Sequence, residues 1–455
     1  MSTTNLLSLL DVGAAGMAAQ NAGIAVASNN VANANTQGYS RETVDFDALN
    51  GTSLLGVTTG DPTRVASELL QSRMRSAAGS LSMSTQSSSA LSDLEDSMTA
   101  GTTIDSSLAS LFASISQANA SPTDPSTREA VVTGVRNVVT SVHDEAAAVA
   151  DAQSGANQRI EDSVTQASQL ASELAAANKQ VAQGGGATAL DNRDQIASQL
   201  SALVGGTARV DSDGQMRFVL DGGAVLVDGS QAATLQTTPN ATTGFADVEV
   251  VQGNSTRDVT SQIGGGSIGA DLSFRDGTAQ TAANQLDQLA YDISTSFNSV
   301  STQNAALDGT TGHAMFDAPT QVAGAASALA IDPSLDTDSD NLALAGAGQA
   351  SGDNTGGLAL FALSNQTVAS GGTQTLTDSS LSILDSVGGA VQNATDDVTR
   401  DTTVQSNLST LDDSLSGVDT NDELTNLSKF QNTSQAMQKF VSTVNDMLTN
   451  LIENL

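Results

Sequence analysis

Apolar residues near both ends of the chain recur at spacings of three, four and seven, the pattern of helices with one apolar face. Toward the C-terminal end these positions, interrupted by Ser434, are Leu427, Phe430, Met437, Val441, Val444, Leu448, Leu451 and Leu455. Toward the N-terminal end they are Leu10, Met17, Ile24 and Val31. A heptad seam is buried only against another helix. We therefore predict that the terminal helices pack on each other or on copies of the chain, and that these residues form an assembly seam.

Polar residues weaken the N-terminal seam, because Asn21, Ser28 and Asn35 follow one another on a neighbouring row. Isolated helices of this kind are marginally stable in water. We expect both termini to be largely disordered in the monomer and to become ordered on assembly.

Helical spacing also dominates the middle of the chain. Residues 64–117 read as helices with interruptions, and Leu190–Leu203 as a short helix. Between them, an apolar row from Ser126 to Gln183 predicts one helix of about 85 Å, at 1.5 Å per residue, that stops at Gly184–Gly186.

The period changes to two between about Val204 and Phe274. Met216, Phe218 and Leu220 alternate with polar or outward positions, and turn residues such as Asp213-Gly214 separate the runs. This pattern predicts antiparallel hairpins. Helical spacing resumes after Gly277, a loop-rich stretch covers 307–357, of which 336–357 comes closest to a disordered linker, and a helix break falls at Gly417. Thr420 and Glu423 have the spacing of a capping box that starts the last helix.

These patterns define a nested plan. The predicted fold class is α+β, mainly α, with coiled-coil-like paired N- and C-terminal helices, a long-helix bundle and an inserted antiparallel β-rich domain. The predicted divisions are 1–60 (terminal helix and following turn), 61–203 (first part of the bundle), 204–275 (β-rich insert), 276–417 (return part of the bundle) and 418–455 (C-terminal helix).

Composition narrows the class of function. The net charge of −34 would repel phosphate backbones, so nucleic acid is not an expected partner. The chain has no cysteine, which excludes disulfides and cysteine catalysis. Aromatic residues are too sparse for the walls of a typical enzyme pocket.

Candidate chemistry is weak. His143 and His313 are far apart in the sequence and have no nucleophile-elbow motif beside them, so we interpret both as surface residues. Asp336, Asp338 and Asp340 imitate the start of a calcium loop, but Asn341 and Ala347 occupy its glycine and glutamate positions. We predict no catalytic, cofactor-binding or metal-binding residues and no enzymatic activity.

The apolar stretch 6–27 does not fit a secretion signal or a membrane helix. No Lys or Arg precedes Arg41, whereas a signal peptide begins with a positive region. Asp11, Gln20 and Asn21 also interrupt the stretch. We expect neither membrane insertion nor a cleaved signal peptide.

The segment from Ser28 to Arg41 reads SNNVANANTQGYSR. This sequence resembles the signature of bacterial flagellar axial proteins, and its Gly-Tyr-Ser-Arg ending resembles that of the hook-associated members. The residues that carry the motif are Asn29, Asn30, Asn33, Asn35, Gly38, Tyr39, Ser40 and Arg41. Four further segments resemble the same family in the same order: 190–194, 222–229, 265–276 and 422–427.

The resemblance implies a structural subunit at the junction of flagellar hook and filament, outside the cell. Such proteins are exported by the flagellar type III apparatus, form a ring-like layer of copies and place their terminal helices in the core of the tube. The implied partners are copies of the chain, the hook protein, an adjacent junction protein or flagellin, and an export chaperone.

Two readings of the Ser28–Arg41 segment remain open. It can simply end a helix and form a turn, or its residues can contact neighbouring subunits, with Tyr39 as an anchor and Arg41 as a hydrogen-bond donor. Two other functions also remain: another axial component (hook or filament protein), or a secreted hydrolase with helical attachment ends.

Overall fold

A computed structural model describes residues 3–36, 38–50 and 55–453. It is mainly helical with small antiparallel sheets, which confirms the predicted fold class. The α-helices of the described residues are α1 Thr3–Asn33, α2 Glu68–Thr99, α3 Ile104–Ala120, α4 Pro125–Ala182, α5 Gly186–Val204, α6 Gly266–Ser273, α7 Ala279–Ser301, α8 Ala325–Ala328, α9 Pro333–Thr337, α10 Thr355–Ala362, α11 Leu376–Ser416 and α12 Thr420–Glu453.

The strands are short and all their pairings are antiparallel. They are β1 Glu42–Thr43, β2 Phe46–Asn50, β3 Leu55–Thr59, β4 Thr63–Arg64, β5 Thr207–Val210, β6 Met216–Val219, β7 Val225–Asp228, β8 Gln231–Ala232, β9 Thr234–Pro239, β10 Ala246–Gln252, β11 Ser255–Asp258, β12 Phe316–Asp317 and β13 Ala330–Ile331. The larger sheets have the orders β5-β6-β7-β8 and β11-β10-β9, and the other pairs are β1-β4, β2-β3 and β12-β13.

The long helix predicted from Ser126 is confirmed. Asp124 caps α4 by accepting a hydrogen bond from the Ser126 backbone N–H, and Pro125 suits the first helical turn. Its 58 residues extend about 87 Å. The helix ends before Gly184, whose φ of +83° favours glycine.

Helix α4 contributes to two hydrophobic cores. Its first half, Val131 to Ala156, packs with α2, α3, α7 and α11, and we call this the first core. Its second half, Ile160 to Ala177, packs with α5, α6 and the strands β5–β10, and we call this the second core. The strands predicted between 204 and 274 therefore lie on α4 and share its core; the division limits stay predictions.

Two expectations need correction. The sequence analysis assigned only a turn to the end of 1–60, whereas the chain forms strands β1 to β4 between Glu42 and Arg64. The stretch 336–357 came closest to a disordered linker, yet Leu342 and Leu344 lie fully buried in the first core. Two leucines spaced by one small residue supply enough apolar area to hold an irregular segment in place.

The terminal helices α1 and α12 pair with each other, and we call them the terminal pair. Gly13 lies against Val441 and Gly23 against Phe430, so the two helices run antiparallel. The hairpin β2-β3 packs beside them, with the rings of Phe46 and Phe430 at 5.8 Å between centroids. We call residues 68–416, from α2 to α11, the body.

Candidate functional site

Glycines form the contact row of α1 in the terminal pair. A Cβ built on Gly13 would lie 2.5 Å from Val441 Cγ2, and one on Gly23 would lie 3.0 Å from the Phe430 ring. A Cβ on Gly16 would collide with the Met437 methyl group. Large side chains of α12 thus occupy the space that the glycines leave, and the two backbones approach closely.

The predicted N-terminal row is not this contact row. Leu10, Met17, Ile24 and Val31 are half-buried, whereas the buried positions of α1 are Leu6, Gly13, Gly16, Ala19, Gly23, Val26, Ala27 and Asn30. The prediction chose the largest apolar side chains. In a closely packed helix pair the smallest residues face the partner, so the contact row lies beside the predicted one.

The predicted C-terminal row lies on the less exposed side of α12. Val444 is buried, as is Ser434 between the apolar positions, and the half-buried members are Leu427, Phe430, Met437, Val441, Leu448 and Leu451. Leu455 lies outside the described residues. The role of either row in contacts between copies stays a prediction.

The end of α1 turns back through the Asn30 side chain. Asn30 is fully buried; its Nδ2 donates to Glu42 O at 2.9 Å, and its Oδ1 accepts from Glu42 N at 2.9 Å. Tyr39 Oη also donates to Asn30 Oδ1 at 2.8 Å. A carboxamide supplies both donor and acceptor, so it pairs with the returning backbone as a strand would. Gly38, with φ +79°, permits the turn.

Two other asparagines of the motif support this turn. Asn29 Nδ2 lies 3.3 Å from both Tyr39 Oη and Glu42 Oε2, and Asn33 Nδ2 donates to Asn29 Oδ1 at 2.9 Å. Asn35 is exposed at the turn. The asparagine spacing of the motif therefore fixes the path of the chain where it leaves α1.

Ser40 ties the turn to the body. Its backbone N–H and its hydroxyl donate to the two carboxylate oxygens of Asp191, at 3.1 and 2.9 Å. Arg64 donates to Asp191 Oδ1 at 2.9 Å and to Asp194 Oδ2 at 2.5 Å, and Arg193 binds the other oxygen of Asp194. The segment 190–194 and the Ser28–Arg41 motif, about 150 residues apart in sequence, thus meet.

Arg41 ties the turn to α12. Its Nε donates to Glu423 Oε1 at 2.9 Å, and its backbone N–H donates to Ser416 O at 2.9 Å. The Glu423 side chain is 4% exposed. The predicted capping box is therefore wrong: Asp419 caps α12 by accepting from Asn421 N at 2.8 Å, and Glu423 binds Arg41 instead.

We call this cluster the joint: Asn29, Asn30, residues 38–42, Arg64, Asp191, Asp194 and Glu423. The sequence analysis missed Arg64, Asp191, Asp194 and Glu423 as parts of one site. The last three lie in segments that carry the resemblance, but only the fold shows that these segments are adjacent. Burial, and then the carboxylates of Glu42, Asp191 and Glu423, raise the pKa of Tyr39, which keeps its phenol protonated.

The joint bears on the two readings of the motif. Tyr39 and Arg41 both form hydrogen bonds within the chain, to Asn30 and Glu423. The motif thus does more than end a helix, because it connects the terminal pair to the body. Contact of Tyr39 and Arg41 with neighbouring subunits stays a prediction.

The candidate chemical residues have structural contacts. His143 Nε2 lies 2.8 Å from Leu329 O, and His313 Nε2 lies 2.7 Å from Thr310 Oγ1. Asp336 binds Arg136, and Asp338 caps a short turn. Within the described ranges, no helix is long and apolar enough to span a lipid bilayer.

Helices from the two ends of the chain that pair with each other, and that join a body through one polar joint, define the class of flagellar axial proteins. Residues 91–316 match the family described as the flagellar hook-associated protein FlgK helical domain. Residues 10–39 match the family of flagella basal body rod proteins. The chain belongs to the FlgK family of flagellar hook-associated proteins, structural components of the bacterial flagellum.

Relatives are named flagellar hook-associated protein 1. The protein of Salmonella typhimurium LT2 is 27% identical over 68% of this chain and 59% of its own length. That of Escherichia coli K12 is 26% identical over 64% and 56%, and that of Bacillus subtilis 168 is 24% identical over 96% of both. The chain thus spans less than two thirds of the enterobacterial relatives.

A solved structure has the same fold. The flagellar hook junction protein FlgK from Burkholderia pseudomallei superposes with a TM-score of 0.67 at 15% identity, covering 76% of this chain and all of that one.

Proposed function

We propose that this chain is a structural subunit of the hook–filament junction that assembles with copies of itself through its terminal helices. The observation that carries the proposal is the joint, where the Ser28–Arg41 motif holds the terminal pair to the body by contacts with Asp191 and Glu423. Such a joint suits a subunit whose terminal pair enters a shared core while its body faces outward. The names of the relatives support the position at the junction.

The proposed partners follow from that position. Copies of the chain form a ring-like layer, the hook protein lies on one side, and an adjacent junction protein or flagellin lies on the other. An export chaperone keeps the termini from associating before export, and the chain leaves the cell without a cleaved signal peptide. The role is structural rather than catalytic.

The terminal pair is the part expected to order on assembly. Only three of the 34 residues of α12 are buried, namely Glu423, Ser434 and Val444, and only the last is apolar. Limited proteolysis of purified monomer should remove both ends before the body is cut. Equal resistance of ends and body would contradict this.

Deletion of the encoding gene in its own bacterium tests the proposed function. We expect cells that retain hooks but lack filaments in electron micrographs, and full-length protein supplied in trans should restore the filaments. A chain lacking residues 420–455 should stay folded by circular dichroism, because neither core uses α12, and yet fail to restore them. Swimming by the deletion strain would refute the proposal.

A further inference from the structure

A cleft of about 470 Å³ opens beside the joint, between the 34–40 turn and the helices α2, α5 and α11. We call it the joint cleft. The residues that matter for its chemistry are Arg75 on α2 and Gln405, Asp412 and Asp413 on α11.

Arg75 is a buried cation with unused donors in this cleft. Its side chain is 3% exposed, Nη2 donates to Glu68 Oε1 at 2.6 Å, and Nη1 lies 3.8 Å from Asp194 Oδ1, beyond hydrogen-bond distance. Its Nε and Nη1 have no hydrogen-bond partner within the described part of the chain, and neither has Gln405 Oε1. Buried polar groups left unpaired are costly. The cleft is therefore suited to a group that both accepts and donates hydrogen bonds.

Carboxylates give the same cleft an excess of negative charge. Asp412 is half-buried and accepts from Gln71 Nε2 at 3.1 Å, and Asp413 is exposed. Neither forms an ion pair with a described residue, since Arg64 nearby is occupied by Asp191 and Asp194. A positive group at the mouth of the cleft would offset this charge.

The terminal pair carries unpartnered positive charge. Helix α1 has no Lys or Arg, and α12 has only Lys429 and Lys439. Both lysines are exposed, and neither forms an ion pair with a residue that the structure describes. Asn432, also exposed, follows Lys429 by three residues and so lies on the same side of α12.

We propose that the joint cleft of one copy binds the Lys429–Asn432 side of α12 from a second copy. Lys429 would pair with Asp412 and Asp413, while the Asn432 carboxamide would accept from Arg75 and donate to Gln405. The partner is a second copy because its charge and its carboxamide match both deficits of the cleft. This inference rests on the proposed function, since it names the contact through which assembled terminal helices reach a neighbouring body.

The native absence of cysteine permits a direct test. Cells that lack the native gene would express two chains, one with Asp413→Cys and one with Lys429→Cys, and isolated flagella would be treated with a short bismaleimide. We expect a cross-linked dimer that contains one chain of each kind. As a matched control, Lys179→Cys on α4 replaces Lys429→Cys and should give no such dimer.

The outcomes separate this inference from the proposed function. Filaments without the mixed dimer, or a cross-link from the Asp413→Cys chain to a different flagellar protein, would overturn the inference and leave the proposed function standing. Normal filaments in cells lacking any version of the chain would overturn the proposed function.

Charge exchange supplies an independent readout. Lys429→Glu should reduce the number of filaments per cell about tenfold, by replacing attraction with repulsion at the cleft. Adding Asp413→Lys to the same chain should restore the number, whereas Lys179→Glu should change nothing. Failure of the double variant to exceed the Lys429→Glu variant would contradict the proposed contact.

Discussion

The body and the terminal pair are both helical, but they bury different kinds of residue. In the body, large aliphatic and aromatic side chains such as Leu111, Ile160 and Phe297 are fully buried, and each contributes about 1.5–3 kcal/mol. In the terminal pair, glycines of α1 occupy the contact row, while Leu7, Leu424, Met447 and Ile452 remain 49–66% exposed. The body contains what it needs to fold. The terminal pair has apolar surface that only other molecules can cover.

Core truncation should affect the two regions most differently. Phe297→Ala removes a ring packed against Phe112 and Phe316, at 5.6 and 5.8 Å between centroids, and should lower the free energy of unfolding by about 3–5 kcal/mol. Phe430→Ala should leave the thermal unfolding of the body unchanged, yet reduce filament formation. Circular dichroism melts of both variants check this, and equal loss of stability would break the distinction.

A buried carboxyl should make the stability of the body depend on pH. Burial raises the pKa of Glu145 to about 7 from the ordinary 4.5; the Ile104 N–H, which donates to Oε1 at 2.9 Å, opposes the rise and Asp105 adds to it. Since the folded-state pKa is the higher one, the stabilisation is complete below about pH 4.5 and is lost as pH rises through 7. The loss totals about 3 kcal/mol at most.

Glu145→Gln should flatten this dependence, because the amide stays neutral. Denaturant titrations at about pH 5 and about pH 8, on either side of the raised pKa, measure it. Asp144→Asn, at the exposed neighbouring position, is the control and should keep the native slope. An unchanged slope in Glu145→Gln would show that another group titrates.

A single methyl group should test the terminal pair with the smallest effect. Gly13→Ala places a Cβ 2.5 Å from Val441 Cγ2, and overpacking of this kind costs about 1–3 kcal/mol, offset by about 1 kcal/mol of helix propensity. Filament yield should fall, and Val441→Ala in the same chain should restore it. Gly155→Ala in α4, where the nearest atom is at 3.6 Å, should be neutral or stabilising.

The sequence predicted those features that depend on local spacing. The bounds of α4 followed from its apolar row and from Asp124-Pro125 and Gly184. The strands around Met216 and Phe218 followed from the period of two. Such signals are contained within the segment that folds.

Features that depend on distant contacts were not predictable. Nothing near Glu423 indicates that it binds Arg41, 382 positions away, rather than capping its own helix. Likewise, a pattern search ranks Met17 above Gly16, although the close approach of α12 places the glycine at the contact. The joint combines both difficulties, since its residues come from four separate stretches of sequence.

Helix α4 has a mechanical consequence. One uninterrupted cylinder contributes a row of side chains to each core, so neither core can rotate about it without the other. Its C-terminal end leads directly into α5, which carries Asp191 and Asp194, and α2 and α11 run between the first core and the same place. Torque applied at the far end of the molecule is therefore delivered to Ser40 and Arg64 by three stiff shafts rather than dissipated in loops.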